Sequence, residues 1–110
     1  MTSIDVREAD GGVVLAPSGR LTVVTAPQLR AAVAERIFSG DRIIVVDLST
    51  TEFVDSSGLG ALVSCLKSAR QAGGDLRIVA PTDQVAMVLR MTNLDRILQP
   101  RASVDDALRG

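Results

Sequence analysis

Asp55-Ser56-Ser57-Gly58-Leu59-Gly60 is the stretch of this chain best equipped for chemistry. Two adjacent hydroxyls stand beside a carboxylate and two glycines, at the start of an amphipathic run. The unpaired N–H groups of a helix start favour negative charge. Such a corner suits holding a phosphate or receiving one. A plainer role competes with this. Ser57 can cap the helix by accepting from its first N–H groups, with the glycines allowing a tight turn. A second serine is redundant for capping, however. Gly58 and Gly60 each weaken the first helical turn by up to ~1 kcal/mol relative to Ala, a cost that close approach of another backbone explains. The motif is not a P-loop, which needs Gly-Lys-Ser/Thr, and no lysine follows here. As a phosphorylation site the corner has a clear logic. A phosphoryl group adds about −1.5 to −2 charges. A helix N-terminus tolerates that charge, whereas a partner docked against Asp55 does not. Binding is lost while the fold is kept.

Other reactive residues are few. Histidine is absent, which removes the commonest general base and metal ligand and every Ser-His or Cys-His pair. Cys65 flanks an apolar stripe in mid-helix and reads as packing. Asp47 and Asp55 form a carboxylate pair for acid–base work or Mg²⁺ only if the fold brings them together. Met87, Met91 and Leu94 read either as a partner-binding patch or, more commonly at helical spacing, as core.

Composition narrows the field further. The 12 basic and 13 acidic residues give a net charge of −1, so no basic face for nucleic acid is expected. Trp and Tyr are absent and Phe occurs twice, which leaves no aromatic platform for stacking bases. No apolar run reaches the length of a membrane span, and Met1 to Asp5 carry no signal-peptide pattern. One cysteine excludes an internal disulfide framework. These features predict a cytoplasmic protein without membrane insertion.

Several elements must position the corner. Residues 3–16 alternate like a hairpin around Asp10-Gly11-Gly12, with Pro17 ending the second strand or placing it on an edge. Ser18-Gly19-Arg20-Leu21 leads into a loop. Thr25 and Gln28 suggest a capping box for a helix that buries Leu29, Ala32, Val33 and Ile37 and ends at Ser39-Gly40. Ile43-Ile44-Val45-Val46 lacks alternation and suits a central strand covered on both faces. Residues 49–54 read as the loop to the corner. The helix after it buries Leu59, Leu62, Val63, Leu66 and Ala69 and stops at Gly73-Gly74. Leu76–Ala80 is the next strand, so residues 42–80 predict a parallel crossover with its loop at the carboxyl end of the first strand. A third helix opens at Thr82-Asp83. Ile97-Leu98 suggests a short last strand, and Ser103–Asp106 starts a C-terminal helix.

Phe53-Val54-Asp55-Ser56-Ser57-Gly58-Leu59-Gly60, preceded by Ile43–Leu48, resembles the signature of bacterial anti-sigma-factor antagonists, the STAS domains. The resemblance extends to Ser18-Gly19-Arg20-Leu21, Gly73-Gly74 and Met91-Thr92-Asn93-Leu94, nearly the whole chain. It implies an α/β fold: one STAS-like domain over 1–110, with a small mixed sheet of about four to five strands flanked by about four helices. It also implies a protein–protein switch rather than an enzyme, with no cofactor of its own. In the family, the unphosphorylated antagonist binds an anti-sigma factor that is a serine kinase, which frees the sigma factor for transcription. The kinase uses its own ATP and Mg²⁺ to phosphorylate the antagonist, and a serine phosphatase resets it. Carried over by position, the resemblance implies Ser56 as phosphoacceptor and Ser57 as the neighbouring cap. Asp55, Gly58 and Leu59 then belong to the docking surface. Arg20 and Thr22 stand where family members often carry acid, so with Thr25 they mark a loop that bears on partner choice.

Two other functions fit the same residues. The chain can be an accessory STAS subunit of a lipid or anion transport system, docked without phosphorylation. The glycine corner can itself bind or hydrolyse a nucleotide, though it lacks a phosphate lysine and a base.

Overall fold

The computed structural model describes residues 3–109, so three residues of the expected 1–110 span lie outside it. Strands β1 (Ser3–Ala9) and β2 (Gly12–Leu21) form the expected antiparallel hairpin. Gly11 takes φ +91° at its turn, a backbone that glycine adopts without a Cβ clash. The other side of β2 serves two strands in succession. Val13–Leu15 pair in parallel with β3 (Ile43–Asp47), and Gly19–Leu21 pair in parallel with β4 (Thr51–Val54). β3 pairs in parallel with β5 (Asp75–Val79), giving the order β1-β2-β3-β5, with β4 beside the far end of β2.

Two sequence expectations are corrected here. β2 runs through Pro17 to Leu21 and is flanked on both sides. The proline sits at the gap between β3 and β4. Its carbonyl accepts from the hydroxyls of Thr50 and Thr51 at 3.2 and 2.7 Å. A strand residue points its N–H and C=O to the same side, so the missing donor of Pro17 faces a place where no ladder partner stands. Residues 51–54 are a strand rather than loop, because the free end of β2 offers them a partner.

Helices α1 (Ala26–Phe38), α2 (Ser56–Gln71), α3 (Asp83–Met91) and the single-turn α4 (Asp95–Leu98) contribute to one core with Leu15, Ile44, Val46 and Ile78. Helix α5 (Val104–Arg109) packs Ala107 on Val14, Val45 and Val79 in a second. Burial on both faces is why Ile43–Val46 lacks alternation. Ile97-Leu98 belongs to α4 rather than to a strand, and the outer edge of β5 is met by a single bridge from Val79 to Arg101. Met87 and Met91 are 47% and 75% exposed, so they are surface rather than core.

Candidate functional site

The DSSGLG corner lies where β4 ends and α2 begins, beside the segment that joins β2 to α1. Asp55 is the hinge of this arrangement. Its backbone is extended (φ −104°, ψ −175°), and its Oδ1 accepts from Gly58 N–H at 2.8 Å. That is the N-cap bond expected of an Asp before a helix. Its Oδ2 accepts from Val23 N–H at 3.2 Å, and its own N–H donates to the Leu21 carbonyl at 3.2 Å. One carboxylate therefore joins the helix start to the β2–α1 loop. The cap expected at Ser57 is two residues too late. Helix α2 starts at Ser56, which puts Asp55 at the capping position and Ser57 inside the first turn.

The two serines differ in exposure. Ser56 is exposed, and its hydroxyl makes no hydrogen bond among the described residues; Ser57 is half-buried. The glycines differ as well. A Cβ on Gly58 would press into the Leu21 carbonyl and lie 2.7 Å from Val54 Cγ2, so this glycine lets α2 sit against the end of β2. A Cβ on Gly60 would meet nothing within 4 Å, and Gly60 is exposed. Gly60 lies four residues after Ser56, hence on the same helix face.

The loop residues singled out by sequence divide into surface and support. Arg20 is exposed at the end of β2, with its guanidinium carbon 4.4 Å from the centroid of the Phe53 ring. Thr22 is half-buried, and its Oγ1 accepts from Val24 N–H at 3.3 Å. Thr25 is 8% exposed. Its hydroxyl accepts from Thr22 N–H at 2.9 Å and donates to the Arg20 carbonyl at 2.7 Å. The expected capping box with Gln28 is therefore not made, because the Thr25 side chain is turned back into the loop. Gly58 and Leu59 are buried, so of the expected docking residues they and Thr25 act from beneath the surface. Sequence reasoning missed Val23 and Val24, which are 66% and 76% exposed. Their signal was an apolar pair in a segment read as loop.

The remaining reactive residues lie outside the corner's surface. Cys65 is 4% exposed, and burial pushes its thiol up to about 11, so it is a protonated packing group at neutral pH. Asp47 accepts from Ser49 N–H at 2.9 Å and holds the turn after β3. Asp47 and Asp55 thus serve different turns.

Comparison with known proteins is decisive for the family. The STAS domain model matches residues 3–107. The chain belongs to the STAS domain family. A Staphylococcus aureus anti-sigma-B factor antagonist is 31% identical over 80 residues, which cover 73% of this STAS chain and 74% of the relative. A Thermotoga maritima protein, named as a candidate anti-sigma factor antagonist, is 34% identical over 100 residues, 90% of this chain and 88% of its own. A crystal structure of an anti-sigma factor antagonist from Mycobacterium paratuberculosis superposes with a TM-score of 0.87 at 29% identity, covering 99% of this chain and 92% of its own. The STAS fold expected from the sequence is therefore present, with five strands and, beside the four helices expected, the single-turn α4. Among the described residues, no helix is long and apolar enough to cross a membrane.

Proposed function

We propose that this STAS domain is an anti-sigma-factor antagonist whose binding is switched by phosphorylation of Ser56. The observation that carries the reading is the exposed Ser56 hydroxyl, unbonded among the described residues, on a corner built by Asp55 and beside a serine that is half-buried. The names of the relatives support antagonism of an anti-sigma factor. In the unphosphorylated state the domain docks on an anti-sigma factor that is also a serine kinase, and the sigma factor is released. The kinase brings ATP and Mg²⁺. The Ser56 oxygen takes the γ-phosphoryl group, ADP leaves, and the hydroxyl proton passes to a base of the kinase. The domain is a substrate and binding protein here, not an enzyme. The added charge sits at a helix N-terminus that accepts it and faces a partner surface matched to a neutral serine. A serine phosphatase restores the binding form.

The test is phosphorylation with purified serine-kinase anti-sigma proteins of the same genome, read by peptide mass spectrometry. A phosphate on Ser56 that is lost in Ser56→Ala is expected. Modification elsewhere, or none with any such kinase, overturns the reading. Ser56→Asp should weaken kinase binding with an unfolding midpoint close to that of the wild type.

A further inference from the structure

We infer that Val23 and Val24 form a preset apolar knob that the kinase acting on Ser56 must accommodate, and that Asp55 is the positioning residue that fixes this knob. The inference rests on the reading of Ser56 as phosphoacceptor and adds to it the chemistry by which the partner is chosen.

The loop between β2 and α1 is held at every backbone donor from Thr22 to Ala26. Thr22 N–H donates to Thr25 Oγ1, Val23 N–H to Asp55 Oδ2, and Val24 N–H to Thr22 Oγ1. Thr25 and Ala26 N–H both donate to the Thr22 carbonyl. The side chains that satisfy the loop are those of Thr22, Thr25 and Asp55. The side chains of Val23 and Val24 do none of this and stand 66% and 76% exposed. A segment fixed in this way loses little further freedom on docking, so burial of its apolar groups is gained nearly in full.

The knob lies within a standard footprint centred on Ser56. Val23 N is 3.2 Å from Asp55 Oδ2, and Asp55 precedes Ser56 in the chain. Covalent geometry then keeps Val23 N within roughly 11 Å of the Ser56 Cα. A typical partner covers about 800 Å² of each surface, a disc of roughly 16 Å radius. A kinase centred on Ser56 therefore meets Val23 and Val24. Residues 22–24 carry no charge, so the matching surface is an apolar recess rather than an ion-pair partner.

The test titrates each purified serine-kinase anti-sigma protein of the same genome by calorimetry against four forms: wild type, V23S/V24S, Asp55→Asn, and the triple variant. Asparagine caps a helix as well as aspartate does, so its one acceptor oxygen keeps Gly58 N–H, while the amide donor that replaces the other oxygen loses the bond to Val23 N–H and leaves the Ser56 corner in place. The kinase that binds wild type should bind V23S/V24S roughly 10- to 100-fold more weakly. Asp55→Asn should weaken binding and speed amide exchange at Val23. In the V23S/V24S background Asp55→Asn should have no further effect, because a residue that acts through the valines has nothing left to position. Unchanged affinity of V23S/V24S overturns the knob. Additive losses in the triple variant overturn the positioning role of Asp55. Phosphorylation of Ser56 in V23S/V24S at unchanged kcat/KM defeats the knob and leaves the phosphoacceptor standing. Absence of any Ser56 kinase defeats both. Should Asp55→Asn fail to fold, V23S/V24S still decides the knob, since both side chains are in solvent.

Discussion

Gly60→Ala should make the protein more stable and a poorer kinase substrate. The position is helical and exposed, and a Cβ there meets nothing within 4 Å. The fold therefore has no use for the missing side chain. Replacing an interior helical glycine by alanine gains about 0.8–1 kcal/mol. For a chain of 110 residues, with unfolding entropy near 2.1 cal/mol/K per residue, that is a rise of about 4 °C in Tm. The same methyl group points from the face that carries Ser56. If a kinase brings its backbone close there, the methyl overpacks the interface by about 1–3 kcal/mol, at least about fivefold in kcat/KM. Gly58→Ala is the internal control. Its Cβ collides with the Leu21 carbonyl and Val54, so a loss of about 2–3 kcal/mol is expected, close to 10 °C in Tm. Thermal unfolding by circular dichroism and steady-state phosphorylation by the kinase read the two effects separately. A lower Tm for Gly60→Ala would mean that the fold uses this glycine. An unchanged kcat/KM would mean that no partner approaches it.

Three further outcomes follow from the hydrogen bonds and burial. Asp55→Ala should cost about 1–2 kcal/mol in urea unfolding through loss of the cap, while Ser57→Ala should stay within about 0.5 kcal/mol of wild type; the reverse ranking would return the cap to Ser57. Thr25→Val should cost about 1–3 kcal/mol by leaving Thr22 N–H and the Arg20 carbonyl without their partner, measured as a shift in urea midpoint. Burial raises the Cys65 thiol from 9.0 to about 11. The native state thus holds this proton more tightly than the unfolded chain, so stability is full below pH 9.0 and falls as pH climbs toward about 11. Unfolding midpoints against pH should show this decline in wild type and a flatter profile in Cys65→Ala.

What the sequence revealed depended on whether a signal was local. Ile43–Val46 is apolar on both faces whatever surrounds it, so its central place could be read from composition. The hairpin turn at Gly11 and the stop at Gly73-Gly74 are equally local. Pro17 and Thr51–Val54 carry no such local signal, for one shared reason. Whether a proline interrupts a strand, and whether four residues form one, is decided by a pairing made more than 30 positions away. Asp55 and Ser57 are both good caps by type, and a shift of two residues in the helix start chose between them. The two glycines looked alike until the packing separated them, one pressed on Leu21 and the other facing open space. Val23 and Val24 could not be recognised as a surface feature, because a loop acquires a shape only when its donors find partners.

That loop separates two kinds of inheritance. Its conformation is written in Thr22, Thr25 and Asp55, whereas positions 23 and 24 contribute only backbone to it. Exposed side chains whose backbone is held by others can be exchanged at little cost to stability. After duplication of such a gene, two copies can therefore diverge at positions 23 and 24 while the scaffold stays under constraint. With Ser56 and the valines in the roles proposed above, one genome can then keep several such switches apart by altering two residues, without rebuilding the domain that carries them.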